Sequence, residues 1–492
     1  MKIIISYPPL KGYGCPLLGQ NRQFQWFSNP TYIYPVVPAS AATLLKHAGY
    51  NVIWNDAIAE NWDYQKYLQF VLIEKPDLIA FESKTPVIKQ HWGIINDIKE
   101  IIPDTNIVLF GDHVTVFPEE SILNSKTDFI ITGGDYDFLL LNLCNHLEKG
   151  VDLEPGIWFR ENGEIKNTEK FVQNHDIDNL PFIDRDLTKW KLYAYKNGNF
   201  KRTPGTYIMA GRDCWWRKDG GCKFCAWTVL YSNYRVRSVE NVLDEIGYLI
   251  REYEVKEIMD DTGTFPSGKW LRDFCNGMIE RGYNQKINLD CNLRFGALDY
   301  EDYKLMARAG FRFILYGLES ANQVTLNLLN KGIDVSKIEE ELRFAKQANK
   351  EVGGSLEPHV TCMVGYPWET KEEAKKTIDM TRYLFKEGLI YSLQATIVIP
   401  YPGTALFEEC KKNNWLKTKD WSRYDMREPV MITKMHDEEI LKLTKEIYKS
   451  FMTIKFLLRK LVSIRSIDDF KFLIRAAKAL FGHLEDFNSK MI

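Results

Sequence analysis

The chain has 492 residues, of which 45% are hydrophobic and 26% are charged, and its formal net charge at pH 7 is −2. This length predicts about three domains, and the balanced charge argues against a nucleic-acid binder that works through bulk positive charge. We expect neither a membrane-spanning helix nor a signal-peptide core, because apolar residues never run together for about 18 positions. Nine cysteines, an odd number, favour free thiols or metal ligands in a reducing compartment, so we expect a cytoplasmic protein.

Short apolar runs alternate with helical patterns in residues 1–150. Such runs suit strands that are buried on both faces of a parallel sheet. Joined by crossover helices, they predict a doubly wound domain, which binds its ligand beyond the carboxyl ends of the strands. The predicted strands are Ile3–Ser6, Val52–Asn55, Leu78–Phe81, Ile107–Phe110 and Phe129–Thr132.

Small and polar residues follow four of these strands, at the edge where a ligand is expected. Small residues let a large cofactor approach the backbone, although tight turns account for the same glycines equally well. The candidate residues are Tyr7, Pro8, Ser83, Thr85, Gly111, Asp112, His113, Gly133 and Gly134.

A linker, residues 151–203, carries a small hairpin that turns at Asn162-Gly163. A second βα series follows in residues 204–410, and residues 411–492 are mainly helical. Six βα units predict a partial or closed barrel, and barrel enzymes place their sites at the C-terminal ends of the strands. The predicted barrel strands are Tyr207–Met209, Glu257–Asp260, Ile287–Cys291, Phe313–Tyr316, Val360–Val364 and Leu393–Ile399.

Three cysteines, Cys214, Cys222 and Cys225, follow the first barrel strand in the stretch GRDCWWRKDGGCKFCAW. A structural zinc site takes four ligands, and neither Cys275 nor His175 is a local fourth. A [4Fe–4S] cluster normally takes four thiolates, so three of them leave one iron open. The amine and carboxylate of S-adenosylmethionine (SAM) suit that open iron.

This stretch resembles the Cys-x3-Cys-x2-Cys motif of the radical SAM enzymes, in which an aromatic residue precedes the third cysteine. Phe224 stands in that place, but seven residues, WWRKDGG, fill the first gap. Longer first gaps occur in some members of the family. The loop leaves open whether Trp215 and Trp216 shape the cluster or a substrate.

Later segments resemble further motifs of the same family and follow in the family's order. The resemblance implies that Asp260 or Asp261 receives the methionine ammonium, although paired aspartates at a strand end are more often a solvated turn or a helix cap. It also implies that Gly317 admits adenine. The SAM contacts implied by the resemblance are Phe224, Asp260, Asp261, Asn292 and Arg294 for the carboxylate and ribose, Gly317, Glu319 and Ser320.

A doubly wound domain ahead of a radical barrel, with the segments KPDLIAF and VLFGDHVTVFPEE, resembles the cobalamin-binding subset of this family over residues 1–430. The resemblance implies an α/β architecture: a doubly wound cobalamin-binding domain, a partial (βα)6 radical SAM barrel and a helical C-terminal segment. It also implies that the nine candidate residues of the first domain bind cobalamin. The Asp-x-His-x-x-Gly motif of many cobalamin proteins is absent, and we do not identify His113 as an axial ligand.

The resemblance implies a methyltransferase that acts on an unactivated carbon through a 5′-deoxyadenosyl radical and methylcobalamin. The nearest alternative is a non-methylating member that catalyses cyclisation, ring rearrangement or oxidation. A tRNA methylthiotransferase would carry a second set of three cysteines near the N-terminus, whereas the first 200 residues hold only Cys15 and Cys144. A protein that only carries a corrinoid or an iron–sulfur cluster would not need the SAM contacts. The implied partners are an electron donor such as flavodoxin or ferredoxin and a substrate that is a small molecule, a lipid or a protein side chain.

The segment from Lys449 to Ile492 is basic and has a helical pattern. A basic amphipathic helix can lie on a membrane or bind an acidic partner. The more common outcome is that its apolar face packs on the parent domain, and we expect packing here.

Overall fold

Two large sheets, both mainly parallel, organise the protein. The computed structural model describes residues 1–19, 24–449, 454–462, 464 and 466–486.

The first sheet has seven strands in the order β4-β1-β5-β6-β7-β8-β9. Its five parallel strands confirm the doubly wound arrangement predicted from the sequence. β1 lies between two parallel neighbours, and its Ile3, Ile4 and Ile5 are buried. The strands of this region are β1 Lys2–Tyr7, β2 Cys15–Pro16, β3 Trp26–Phe27, β4 Asn51–Asp56, β5 Leu78–Glu82, β6 Asn106–Phe110, β7 Phe129–Ile131, β8 Ile157–Glu161 and β9 Glu164–Asn167. The helices are α1 Val36–His47, α2 Tyr64–Glu74, α3 Ile88–Ile101, α4 Asp112–Val116, α5 Pro118–Asn124 and α6 Tyr136–Lys149.

The linker hairpin is part of the first sheet. Its strand β8 pairs antiparallel with β7, with Ile157 opposite Ile131, and β9 pairs with β8. The turn lies at Asn162 and Gly163, both of which have positive φ angles, as the Asn-Gly pair predicts. The chain therefore leaves this sheet at Asn167. After the short helix α7 (Lys191–Ala194) it enters the second sheet.

The second sheet has six strands that follow one another in chain order, with β10 and β17 at its edges. All neighbouring pairs are parallel, which confirms a partial (βα)6 barrel. The strands are β10 Gly205–Ile208, β13 Glu257–Asp260, β14 Asn288–Leu293, β15 Phe311–Glu319, β16 Glu357–Val364 and β17 Ser392–Ile397, and a separate ribbon pairs β11 Gly211–Arg212 with β12 Arg235–Val236. The helices are α8 Trp227–Leu230, α9 Val239–Tyr253, α10 Lys269–Glu280, α11 Tyr300–Arg308, α12 Gln323–Leu328, α13 Ile338–Val352, α14 Lys371–Glu387 and α15 Ala405–Lys412.

Three C-terminal helices, α16 (Asp437–Lys449), α17 (Ile454–Val462) and α18 (Ile467–Asp486), pack on the barrel. Asp469 of α18 forms a 3.0 Å ion pair with Arg202, and Phe472 is buried. The described residues therefore support the packing expected from the sequence. Part of the segment, residues 450–453, 463, 465 and 487–492, lies outside the described residues, and membrane contact stays a prediction.

The part of the chain that the structure describes holds no helix long and apolar enough to cross a membrane.

Candidate active site

The three predicted cluster cysteines lie on one loop at the carboxyl ends of the barrel strands. All three cysteines are partly exposed. Cys214 follows the ribbon strand β11, and its Sγ lies 2.9 Å from Oγ1 of Thr264, just beyond β13. The backbone N–H of Cys225 donates to the carbonyl of Cys222 at 3.1 Å, which turns the chain between them. The structure thus places the thiols at the end of the barrel where enzymes of this architecture work.

The cysteine loop is held by the segment 329–332, which follows α12. The Asn330 side-chain amide donates to the carbonyls of Asp219 (2.8 Å) and Gly221 (2.9 Å). The backbone N–H of Lys223 donates to the carbonyl of Leu329 at 2.9 Å. These bonds fix the C-terminal end of the long first gap.

Arg294, beyond β14, contacts this loop directly. Its Nη1 lies 3.6 Å from Cys222 Sγ, and its Nη2 donates to the carbonyl of Lys331. The guanidinium stacks on Trp216, 4.3 Å from the ring centroid. The resemblance predicts that Arg294 contacts SAM. In the structure, Arg294 contacts the cysteine loop and the Lys331 carbonyl.

The donor set of the loop fits an iron–sulfur cluster, because thiolates are its usual ligands. A second guanidinium, that of Arg217, also lies near the thiols. Although burial opposes its charge, the ion pair with Asp213 and the proximity of Cys225 and Cys214 raise the pKa of Arg217. Two cations therefore surround thiolates that would carry negative charge. Among the described residues, no three His, Cys, Asp or Glu side chains, the three thiols included, converge as the ligands of a single metal ion do, so the fit to the cluster rests on the chemistry of the donors.

Asp260 and Asn292 organise the turn that follows β13. Asp260 accepts hydrogen bonds from the backbone N–H groups of Ala210 (2.6 Å) and Thr262 (3.0 Å), and burial raises its pKa to about 6. Asn292 donates to the carbonyl of Thr262 at 3.0 Å. Asp261 is partly exposed at the same edge. The structure thus brings these predicted residues together, with Asp260 directed at the backbone.

Gly317, Glu319 and Ser320 lie at the end of β15. Glu319 has a φ of 63° and accepts a hydrogen bond from Lys331 Nζ at 2.8 Å. A Cβ at Gly317 would overlap the Glu319 carboxylate and lie 2.6 Å from Lys331 Nζ, so a larger residue there would displace the ends of these two side chains. Ser320 donates to the Glu369 carboxylate at 2.8 Å.

Lys331 and Tyr366, which the sequence did not single out, also belong to this group. The Lys331 Nζ lies 5.6 Å from the centroid of the Phe224 ring, next to the third cysteine. Tyr366 is fully buried, and its hydroxyl has no hydrogen-bond partner among the described residues. Burial first, and then the nearby Glu319 carboxylate, raises the pKa of Tyr366 well above its usual value. Lys331 lies in the segment LLNKG and Tyr366 in the segment GYPWE, but neither residue type marks a site by itself.

The ligand edge of the first sheet contains a buried acid that the sequence did not single out. Tyr7 donates a 2.5 Å hydrogen bond to Glu82, and burial raises the pKa of Glu82 to about 7. Pro8 lies beside Tyr7 and is also buried. Lys84 Nζ lies 3.9 Å from the Asp112 carboxylate. Both acids therefore face this edge of the sheet.

Both ring nitrogens of His113 have partners within the chain. Its Nδ1 lies 3.3 Å from the Thr85 hydroxyl, and its Nε2 lies 3.1 Å from the Glu120 carboxylate. The Ser83 hydroxyl lies 2.7 Å from Nδ1 of His91. These contacts agree with the expectation that His113 is not an axial cobalt ligand.

The three predicted glycines of this edge are each close to other parts of the chain. A Cβ at Gly111, which has a φ of 123°, would overlap the Ser83 carbonyl. A Cβ at Gly133 or at Gly134 would overlap the ring of Phe171 or of Tyr231, respectively. In the structure, contacts within the protein therefore account for all three glycines.

A buried ionic network joins the two sheets beside the cysteine loop. Arg212, two residues before Cys214, donates to Asp135 at 2.8 Å and to Asp137 at 3.0 Å. Arg235, on the paired strand β12, also donates to Asp135, at 2.5 Å. Despite burial, His175 and the two guanidiniums hold the pKa of Asp135 well below its usual value. The ligand edge of the first domain is thus fixed beside the cysteine loop.

A six-stranded parallel barrel with three thiols on the loop after its first strand is the architecture of the radical SAM proteins. The profile described as "Radical SAM superfamily" matches residues 210–381. This part of the chain is therefore a radical SAM domain, and the enzyme class predicted from the sequence is confirmed. Such a domain uses a [4Fe–4S] cluster and SAM.

The curated relatives include a methyltransferase and a cyclase. The chain is 28% identical over 429 residues to an uncharacterized methyltransferase of Pyrococcus horikoshii, which covers 86% of this chain and 88% of that protein. It is 27% identical over 445 residues to the anaerobic magnesium-protoporphyrin IX monomethyl ester cyclase of Cereibacter sphaeroides, which covers 88% of this chain and 67% of the cyclase.

Two solved structures share the fold across both sheets. The radical SAM methyltransferase TsrM from Kitasatospora setae, solved with cobalamin and a [4Fe–4S] cluster, gives a TM-score of 0.64 at 15% identity and covers 98% of this chain and 88% of TsrM. The cobalamin-dependent SAM radical enzyme OxsB gives a TM-score of 0.67 at 15% identity and covers 98% of this chain and 71% of OxsB. The predicted fold class is confirmed.

Proposed function

We propose that the protein is a cobalamin-dependent radical SAM methyltransferase that methylates an unactivated carbon. The observation that carries the proposal is the network of Arg212, Arg235, Asp135 and Asp137, which joins the cysteine loop to the ligand edge of the doubly wound sheet. A substrate at this junction would meet both cofactors in a fixed orientation, and such orientation lowers the barrier to reaction. The methyltransferase relative and the similarity to TsrM support the same conclusion.

The residues of the chain divide into three proposed groups. Cys214, Cys222 and Cys225 hold the cluster. When bound, the cluster with SAM supplies the 5′-deoxyadenosyl radical, and the corrin supplies the methyl carrier. The proposed SAM group is Phe224, Asp260, Asp261, Asn292, Gly317, Glu319 and Ser320. Arg294, which the resemblance also assigns to SAM, contacts Cys222 and the Trp216 ring in the structure. The proposed cobalamin group is Tyr7, Pro8, Ser83, Thr85, Gly111, Asp112, His113, Gly133 and Gly134.

The chain itself orients these groups and limits the access of water to them. Tyr366 is buried near Phe224, and so is the ion pair between Glu319 and Lys331. Arg212 holds the start of the cysteine loop in place. The domain boundaries 1–150, 151–203, 204–410 and 411–492 stay a prediction from the sequence, except that the hairpin of residues 157–167 belongs to the first sheet. We also propose a cytoplasmic location and a reductant such as flavodoxin or ferredoxin. The proposed substrate is a small molecule, a lipid or a protein side chain.

The second candidate is a non-methylating enzyme that carries out cyclisation, ring rearrangement or oxidation with the same two cofactors. The specific observation in its favour is the cyclase relative, whose alignment covers 88% of this chain. The same cysteine loop and the same sheet edge would serve this reaction.

Anaerobic reconstitution with iron, sulfide and hydroxocobalamin, followed by SAM that carries a CD3 group, distinguishes the two candidates. For the methyltransferase we expect 5′-deoxyadenosine, and the CD3 group recovered with the corrin. Deoxyadenosine without transfer of CD3 would favour the second candidate. The Cys225→Ala variant should lose iron and deoxyadenosine, whereas Cys15→Ser removes a partly exposed thiol outside the loop and should retain both. Failure of the wild-type protein to bind a cluster and a corrin would contradict both candidates.

A further inference from the structure

The seven-residue first gap of the cysteine motif forms a cradle for one cation. Residues Trp215–Asp219 form a single 3-10 turn. The indole N–H of Trp216 donates to the Asn330 carbonyl at 2.7 Å, and its ring occupies the space beside Gly332, where a Cβ would overlap it. The indole nitrogen contacts Asn330 and the ring edge contacts Gly332, so the face of the ring is left to stack against the Arg294 guanidinium.

Arg294 lies in this cradle as a buried guanidinium, 4% exposed. Its contacts within the chain are the Trp216 and Trp215 rings, at 4.3 Å and 5.4 Å, the Lys331 carbonyl and Cys222 Sγ. Its Nε–H is buried without an acceptor among the described residues. A buried charge is costly unless it is paired, so a negative group beside Cys222 must complete this arrangement.

We propose that Arg294 is a positioning residue of the cluster, held by Trp216 against the Cys222 side of the cluster, where its charge raises the cluster's reduction potential. This inference rests on the proposed function, in which the three thiols bind a [4Fe–4S] cluster. The cluster takes one electron from a reductant of the flavodoxin or ferredoxin class and becomes more negative. A fixed cation about 4 Å from a cluster ligand stabilises the reduced form more than the oxidised form.

The prediction from the sequence gave Arg294 another partner, the SAM carboxylate. The two assignments predict different effects of replacing Arg294 by an uncharged residue. Loss of a carboxylate anchor weakens SAM binding, whereas loss of a cation beside the cluster lowers the reduction potential even without SAM.

The test compares Arg294→Gln, which removes the charge, with Arg294→Lys, which keeps it. Iron content, potentiometric titration followed by electron paramagnetic resonance, and SAM affinity are measured on reconstituted protein. At the wild-type midpoint potential, we expect the ratio of reduced to oxidised cluster to fall about tenfold in Arg294→Gln, equivalent to about 59 mV for one electron. We expect Arg294→Lys to restore most of this ratio, and the SAM dissociation constant to change by less than about twofold.

A second pair of variants tests the cradle and covers the case in which Arg294→Gln fails to fold. Trp216→Phe keeps a ring under the guanidinium, and Trp216→Leu removes it, so only the leucine variant should lower the midpoint potential. Arg272→Gln removes a guanidinium of α10 that is paired with Asp302 of α11. This variant is the control and should behave like wild type. An unchanged midpoint potential in both Arg294→Gln and Trp216→Leu would overturn the inference. If the SAM affinity of Arg294→Gln were also tenfold weaker, Arg294 would be assigned to the SAM carboxylate. Absence of iron from wild-type protein would overturn the proposed function, and this inference with it.

Discussion

Arg212 and Asp135 are joined by a 2.8 Å hydrogen bond that crosses from the barrel to the doubly wound domain, with Arg212 only two residues before the first cluster cysteine. Both side chains are almost completely buried. The pair therefore serves two purposes, since it holds the domains together and fixes where the cysteine loop begins.

Replacement of Arg212 by Met should destabilise the protein strongly. It would leave the Asp135 and Asp137 carboxylates buried with less compensating charge, and loss of one partner from a buried ion pair typically costs about 3–5 kcal/mol. Urea unfolding followed by circular dichroism measures this free energy. Arg343→Met breaks an exposed pair with Glu339 and should leave the unfolding midpoint unchanged. A small effect of Arg212→Met would show that the two domains do not depend on this network.

Glu82 should make the stability depend on pH. Its folded pKa, about 7, lies above its ordinary value of 4.5 because burial disfavours the charge. The unfolded state therefore releases this proton first, and the free energy of unfolding falls as the pH rises from about 4.5 through 7. Glu82→Gln should remove a decrease on the order of 3 kcal/mol over this range. The free energy of unfolding, measured by denaturation at pH 5 and at pH 8, tests this prediction. The same change in free energy between the two pH values in Glu82→Gln and in wild type would contradict it.

Gly332→Ala should reduce the iron that the protein retains. The new methyl group would overlap the Trp216 ring and displace the first gap of the cysteine motif. Gly353→Ala is the matched control, because Gly353 has a similar φ of 72°, compared with 63° at Gly332, but nothing lies within 4 Å of its Cβ position. Both variants share the cost of a positive φ, so the difference in iron per chain reports the overlap alone. Equal iron content in the two variants would argue against a role for Gly332 in seating the loop.

Asp469→Asn should loosen the C-terminal helix α18 from the barrel. The Asp469 carboxylate lies 3.0 Å from Arg202 and 3.8 Å from Lys201, and it is largely buried. Limited proteolysis should cut the variant within α18 faster than it cuts the wild type. Asp468→Asn, a neutral substitution at the exposed neighbour, should leave the cleavage rate unchanged. Identical rates for both variants would show that apolar contacts such as Phe472 hold the helix alone.

The sequence predicted the parallel strands of both sheets because each is a short apolar run that ends in a small or polar residue. Ser238 precedes an apolar helical pattern, as an N-cap serine typically does, and its side chain accepts a hydrogen bond from the Asn241 N–H at 3.3 Å at the start of α9. Local patterns of this kind depend only on neighbouring residues, and so they can be read without a structure.

The sequence did not reveal contacts between residues that are far apart in the chain. Arg212 and Asp135 are 77 positions apart, and Trp216 and Asn330 are 114 apart. Nothing local distinguishes Arg212 from a solvated arginine, or Lys331 from the lysines of an exposed helix end. The position of the hairpin strand β8 beside β7 likewise depends on which edge of the sheet is open, and that is a property of the assembled fold.

Because Trp216 lies so close to Gly332, the residue types at these two distant positions of the chain depend on each other. The indole takes the volume that any larger side chain at position 332 would need, so the long first gap and the glycine are compatible only as a pair. Transfer of WWRKDGG into another barrel would therefore require a glycine at the equivalent place after α12. Conversely, a version of this protein with a three-residue gap would no longer need glycine at position 332 to make room for the indole.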